Sequence, residues 1–129
     1  MKLHHVAVES SSRERAESFY GGMLGMPLAK SVLLGGELAE RIFDTPDECE
    51  VLLFQNEHFA VEVFVTGGQT RKAGPYAHLC LEVVDKERCA DDCDAHGLEV
   101  RRIPRGDDFL IFVRDFDGNL FEIKETPQT

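Results

Sequence analysis

The chain has 129 residues, 43% hydrophobic and 29% charged, the make-up of one globular domain or a compact pair of half-domain modules rather than of a disordered chain. At this length about two-thirds of the unfolded surface can be buried on folding, so no disulfide or zinc staple is required. Fourteen Lys and Arg against 24 Asp and Glu leave a net charge of −10, which repels phosphate backbones and anionic lipid and argues against nucleic acid and membrane partners.

The opening residues Met1-Lys2-Leu3-His4-His5 lack the apolar core of a signal peptide, and the longest apolar runs are strand-length, so a cytoplasmic location is expected. Cys49, Cys80, Cys89 and Cys93 form no C-x-x-C pair and read as reduced core thiols. Leu3 to Glu9 alternates as a strand, with Val6 and Val8 on one face and Leu3, His5 and Ala7 on the other. Ser10-Ser11-Ser12 offers hydroxyl caps for a helix whose stripe runs Ala16, Phe19, Met23, widened by Tyr20 and Leu24, and which ends at Gly25 before Pro27. Leu28 to Leu34 reads as a strand closed by Gly35-Gly36. Asp44-Thr45-Pro46-Asp47 is a turn, but Leu38 to Phe43 fits a short helix or a strand extension equally well.

Val51 to Phe54 and Phe59 to Val65 read as strands, and residues 67–76 as a linker rich in Gly. Beyond it the order repeats. Ala77 to Val83 alternates, Asp85 caps a helix running to His96 and ended by Gly97, and strands follow at Leu98 to Ile103, Phe109 to Arg114 and Asn119 to Glu125. Asp117-Gly118 marks a tight turn between the last two. His5-Val6-Ala7-Val8-Glu9 aligns with His78-Leu79-Cys80-Leu81-Glu82, and Val61-Glu62-Val63 with Phe121-Glu122-Ile123. The chain therefore reads as a duplicated βαβββ unit, an α+β fold of two modules, 1–66 and 77–129, with curved mixed sheets and helices on their outer faces.

Alternation also decides where four polar residues point. His5, Glu62, His78 and Glu122 each lie opposite the apolar set of their strand, the set a helix would cover. Two carboxylates gathered in a partly dry hollow cost several kcal/mol unless neutralised, and a divalent cation does this directly. Imidazole with carboxylate suits nickel, zinc, iron or manganese. His4, on the face opposite His5, His58 beside a turn and His96 near a helix end have no repeat-matched partner and read as surface residues. Arg101, Arg102 and Arg105 read as a solvated strand edge, with a substrate carboxylate as the rival role.

Leu3-His4-His5-Val6-Ala7-Val8, Ser18-Phe19-Tyr20 with Leu24-Gly25-Met26, Ala77-His78-Leu79 and above all Asp115-Phe116-Asp117-Gly118-Asn119-Leu120-Phe121-Glu122 resemble the vicinal oxygen chelate superfamily over residues 2–125. That superfamily includes glyoxalase I, fosfomycin-resistance proteins, extradiol dioxygenases and methylmalonyl-CoA epimerase. The resemblance implies a metal that binds two neighbouring substrate oxygens, with His5, Glu62, His78 and Glu122 as its ligands. An acidic residue at Glu62 resembles bacterial glyoxalase I in particular. It implies isomerisation of a hemithioacetal of methylglyoxal and a thiol, such as glutathione, through a metal-stabilised enediolate, with Glu122 as general base and Glu62 as the other candidate. The alternatives are an Fe(II)-dependent extradiol-type dioxygenase, in which Glu62 would stand off the metal, and a metal-free binding module of bleomycin-resistance type. A small-molecule substrate and a homodimer are expected, the four ligands meeting either within one chain or across the dimer.

Overall fold

A computed structural model of the chain describes residues 1–68 and 74–127; positions 69–73 of the expected linker lie outside the described residues. The chain divides into two compact units, Met1–Arg71 and Lys72–Thr129. The first holds β1 (His5–Ser10), α1 (Arg13–Ala16), β2 (Leu28–Leu34), α2 (Gly36–Phe43), β3 (Cys49–Gln55) and β4 (Ala60–Val65). Its sheet has the order β1-β4-β3-β2, with β1 parallel to β4 and the other pairs antiparallel. The second unit holds β5 (Leu79–Val83), α3 (Lys86–Ala95), β6 (Val100–Arg105), β7 (Asp108–Arg114) and β8 (Leu120–Glu125). Its sheet repeats the pattern as β5-β8-β7-β6, again with the first pair parallel. The result is the expected α+β fold built on two four-stranded mixed sheets.

Local signals account for most of these elements. The Ser12 hydroxyl accepts from the Arg15 amide at 3.2 Å and the Asp85 carboxylate from the Arg88 amide at 3.0 Å, capping α1 and α3. The first helix departs from the regular period after one turn. Glu17–Met23 continues it with wider, five-residue spacing, as in Leu24 N–H to Phe19 O at 2.9 Å. Gly21 and Gly22, with no side chains to crowd a widened turn, sit in this segment, which buries Phe19 and Tyr20 completely. Tyr20 packs on Phe54 of β3 with ring centroids 5.7 Å apart. In the second unit α3 packs on β6, β7 and β8 over buried Ile111, Val113, Phe121 and Ile123. Each such side chain contributes about 1.5–3 kcal/mol of burial.

The ambiguous stretch Leu38 to Phe43 lies in α2, so the first module carries a helix that the second lacks. α2 does not join the outer helical face. Phe43 meets Phe64 edge to face at 5.4 Å, and Phe64 lies two residues along β4 from Glu62, on the same face. Gly36 permits the approach of the turn that follows α2, since a Cβ there would stand 2.5 Å from the Pro46 carbonyl oxygen. Cys80 departs from the expectation of core thiols: it is exposed, whereas Cys93 is buried and Cys49 and Cys89 are half-buried. No helix among the described residues is long and apolar enough to cross a membrane.

Candidate functional site

Each unit brings its own histidine and glutamate together. In the first, Ala7 stands opposite Glu62 in the parallel β1–β4 pair, and His5, two residues earlier, reaches Glu62 with Nε2 to Oε1 at 3.0 Å. In the second, Cys80 stands opposite Glu122, and His78, again two residues earlier, places Nε2 3.8 Å from Glu122 Oε2. The same register therefore builds the same pair twice. Among the described residues no group of three or more His, Cys, Asp or Glu is gathered as a metal cluster; the four expected residues form two pairs, one per unit.

The ring contacts favour ligation through Nε2. His78 Nδ1 lies 2.9 Å from the Tyr76 carbonyl oxygen. A carbonyl can only accept, so Nδ1 carries a proton, which leaves Nε2 as the ring atom whose lone pair can face Glu122. Two acceptors aimed at one another need a cation or a proton between them. Two donors bound cis to one cation at about 2.1 Å each stand about 3.0–3.4 Å apart. The first pair matches that span and the second is a few tenths of an ångström wider. Nitrogen and carboxylate oxygen are the donor chemistry of nickel, zinc, iron and manganese, so the residues fit a divalent cation.

His5 is held differently. Its Nδ1 lies 2.8 Å from Nδ1 of His4, and the rings meet edge to face at 5.1 Å. Sequence alternation put His4 on the opposite face, but β1 begins only at His5, so period two does not reach His4. A pocket of about 290 Å³ nearby, lined in part by His4, Asn56 and His58, includes neither His5 nor Glu62.

The surroundings of the two carboxylates differ. Glu62 lies between Ala7 and Leu53 across the sheet, Glu122 between Cys80 and Phe112. The His78 and Phe112 rings approach to 5.9 Å. Glu122 is the more sheltered, its side chain 18% exposed against 29% for Glu62. Partial burial, then the Glu122 charge, push the Cys80 thiol up.

Asp115 is the residue whose role sequence reasoning missed. Only 5% exposed, it accepts from the amides of Asp117 and Asn119 through Oδ1, both at 2.9 Å, and from Asn119 Nδ2 through Oδ2 at 2.7 Å. With Gly118 at φ 89°, this carboxylate shapes the β7–β8 turn and so sets the register that aims Glu122. The signal in the sequence was an acid two residues before the Asp117-Gly118 turn.

The sequence profile of the Glyoxalase/Bleomycin resistance protein/Dioxygenase superfamily matches residues 2–123. The chain belongs to this superfamily. Solved structures of the superfamily share its fold. A glyoxalase family protein from Bacillus cereus superposes with a TM-score of 0.78 at 20% identity, over 97% of this chain and 93% of its own. A genomically encoded fosfomycin resistance protein from Listeria monocytogenes gives 0.71 at 14% identity, over 98% and 94%. The trypanothione-dependent glyoxalase I of Leishmania major gives 0.69 at 17%, over 97% and 86%. At these identities the likeness is one of fold. No curated protein matches the sequence. Within this superfamily fold, the paired His and Glu sit on the sheet face opposite α1 in the first unit and opposite α3 in the second.

Proposed function

We propose that the protein is a metal-dependent lyase or isomerase of glyoxalase I type, with His5, Glu62, His78 and Glu122 as ligands of a divalent cation. The observation that carries this reading is the repeated diagonal pair: in both sheets a histidine Nε2 converges on a glutamate from two residues before its register partner. The substrate is a hemithioacetal formed from methylglyoxal and a thiol, with glutathione as the candidate thiol, and the working protein is a cytoplasmic homodimer.

A bound divalent cation supplies Lewis-acid stabilisation of the charge that develops on two neighbouring substrate oxygens. Glu122 takes the proton from the carbon bearing sulfur and returns it to the adjacent carbon, while the hydroxyl proton passes from one oxygen to the other, which leaves an α-hydroxy thioester. Glu122 is the better placed of the two carboxylates because it is the less exposed to water, with Phe112 beside it on β7. Glu62, with Ala7 and Leu53 beside it, serves with the two histidines as an anchor.

The test is to purify the protein without a metal-binding tag, measure its metal content, and follow thioester formation after adding nickel or zinc. Glu122→Gln should lower turnover by about a hundredfold or more with the fold intact. Retained turnover would remove Glu122 as the base. Absence of thioester with every metal, alongside oxygen uptake on a catechol with Fe(II), would replace the isomerase with a dioxygenase.

A further inference from the structure

The strand register places a cation at a fixed position relative to each glutamate. In the second sheet one row runs across four strands as Cys80, Glu122, Phe112 and Arg101. In the first, the matching row runs Ala7, Glu62, Leu53 and Lys30. Directly paired residues share a sheet face, so Arg101 stands on the Glu122 face with the Phe112 ring between them. Its Cα lies two strand spacings, roughly 9.5 Å, from that of Glu122. Arg102, the next residue, points the other way and binds Glu87, Asp91 and Asp94 of α3. The two arginines are adjacent in sequence and opposite in use.

The charges around Arg101 leave it short of anion. Nε and Nη2 donate to Glu99 Oε1 at 3.2 and 2.9 Å, and Arg114 Nε binds the other oxygen of the same carboxylate at 2.8 Å. Two guanidiniums thus share one carboxylate. Glu82 and Lys124, in the next row of the same face, stand opposite one another and balance. Glu99 grips one edge of the guanidinium, leaves the Nη1 donors toward solvent and fixes the plane of the fork; the Arg101 side chain is 63% exposed. On a protein of net charge −10, such a position needs a local reason.

We propose that Arg101 is a specificity residue that binds a carboxylate of the substrate, whose chelating oxygens lie at the Glu122 end of the row. The inference rests on the metal-chelating function proposed above and narrows its substrate to compounds that carry a carboxylate beyond the two chelating oxygens. Phe112 forms the apolar floor between the two ends, and the fork of Arg101 reads the carboxylate through two parallel donors.

Two hydroxamates that chelate metal through neighbouring oxygens test this: acetohydroxamate, and succinohydroxamate with its added carboxylate. Their affinities for the nickel-loaded protein are measured by calorimetry. Succinohydroxamate should bind about tenfold tighter, against the repulsion of the protein's net charge. Arg101→Gln should abolish that advantage while metal content and acetohydroxamate affinity stay unchanged, and Arg101→Lys should restore part of it. Equal affinity of both probes for the native protein, or a preference that survives in Arg101→Gln, overturns the assignment. If neither probe binds the loaded protein, the chelating function itself fails and the role of Arg101 falls with it.

Discussion

His5 touches not the residue opposite it in the sheet but the one two places on: its register partner is Ala60, while its Nε2 meets Glu62. Diagonal neighbours stand farther apart than directly opposed ones, and imidazole and glutamate are long enough to close that gap and bring donor atoms within a cation's span. His78 and Glu122 repeat the offset.

The histidines should therefore matter to metal content before they matter to fold. Both are substantially exposed, so His5→Ala and His78→Ala create no cavity. Each should weaken metal binding by more than about tenfold, read by chelator competition and elemental analysis, with unchanged thermal unfolding of the metal-free protein. Full occupancy in either variant would exclude that residue as a ligand.

Asp115→Ala should be among the more damaging polar substitutions in the chain. It leaves the Asp117 and Asn119 amides without their buried carboxylate. Bonds to a charged acceptor contribute about 1.5–3 kcal/mol each, and water recovers part of the loss once the turn opens. A fall of about 2–3 kcal/mol in urea unfolding is expected, together with a drop in metal affinity as Glu122 loses its register. A variant as stable as the native protein would show that the turn holds without Asp115.

Arg102 ties β6 to α3 by meeting three carboxylates of one helix at 2.9–3.2 Å. Removing it leaves Glu87, Asp91 and Asp94 clustered with no counter-charge. Arg102→Ala should cost about 1–2 kcal/mol, part from its packed stem and part from that repulsion, because the pairs are partly screened by solvent. The loss should shrink when urea unfolding is repeated at high salt. A loss that does not change with salt would assign the whole effect to packing.

Acid should act on the Glu99 cluster. Hydrogen bonding from Arg101, then the charges of Arg101 and Arg114, hold the Glu99 carboxyl below its ordinary value of 4.5. A carboxylate with a depressed folded value adds stability that is fully present above the ordinary value and is lost as pH falls through the folded one. Glu99→Gln should therefore unfold slightly more easily near neutrality and lose less stability between about pH 5 and about pH 3, read from urea midpoints. Parallel curves for the two proteins would show that the pair adds nothing in solution, the common fate of exposed ion pairs.

Much of the molecule was legible in the residues. Alternation in Val61-Glu62-Val63 and Phe121-Glu122-Ile123 assigns each glutamate to the face away from the helices, because period two has only two outcomes and burial chooses between them. The duplication was visible because equal strands need equal patterns. Leu38 to Phe43 was not legible: Leu38, Ile42 and Phe43 are more than half exposed, so little burial stood behind the apolar spacing there. The widened turn at Glu17–Met23 was hidden as well, since the stripe of Phe19, Tyr20 and Met23 suits either helical period over so short a stretch.

Sequence alone thus determined which strands exist, which face each side chain takes and that the pattern occurs twice, because these are local consequences of side-chain alternation. Only the tertiary structure decided that His5 meets Glu62 and His78 meets Glu122 on the diagonal, that Asp115 sets the turn behind Glu122, and that Arg101 takes Glu99 while Arg102 takes three carboxylates of α3. Those facts depend on register between residues up to 55 apart in the chain, and register is fixed by hydrogen bonding and burial summed over a whole sheet, which no local pattern contains.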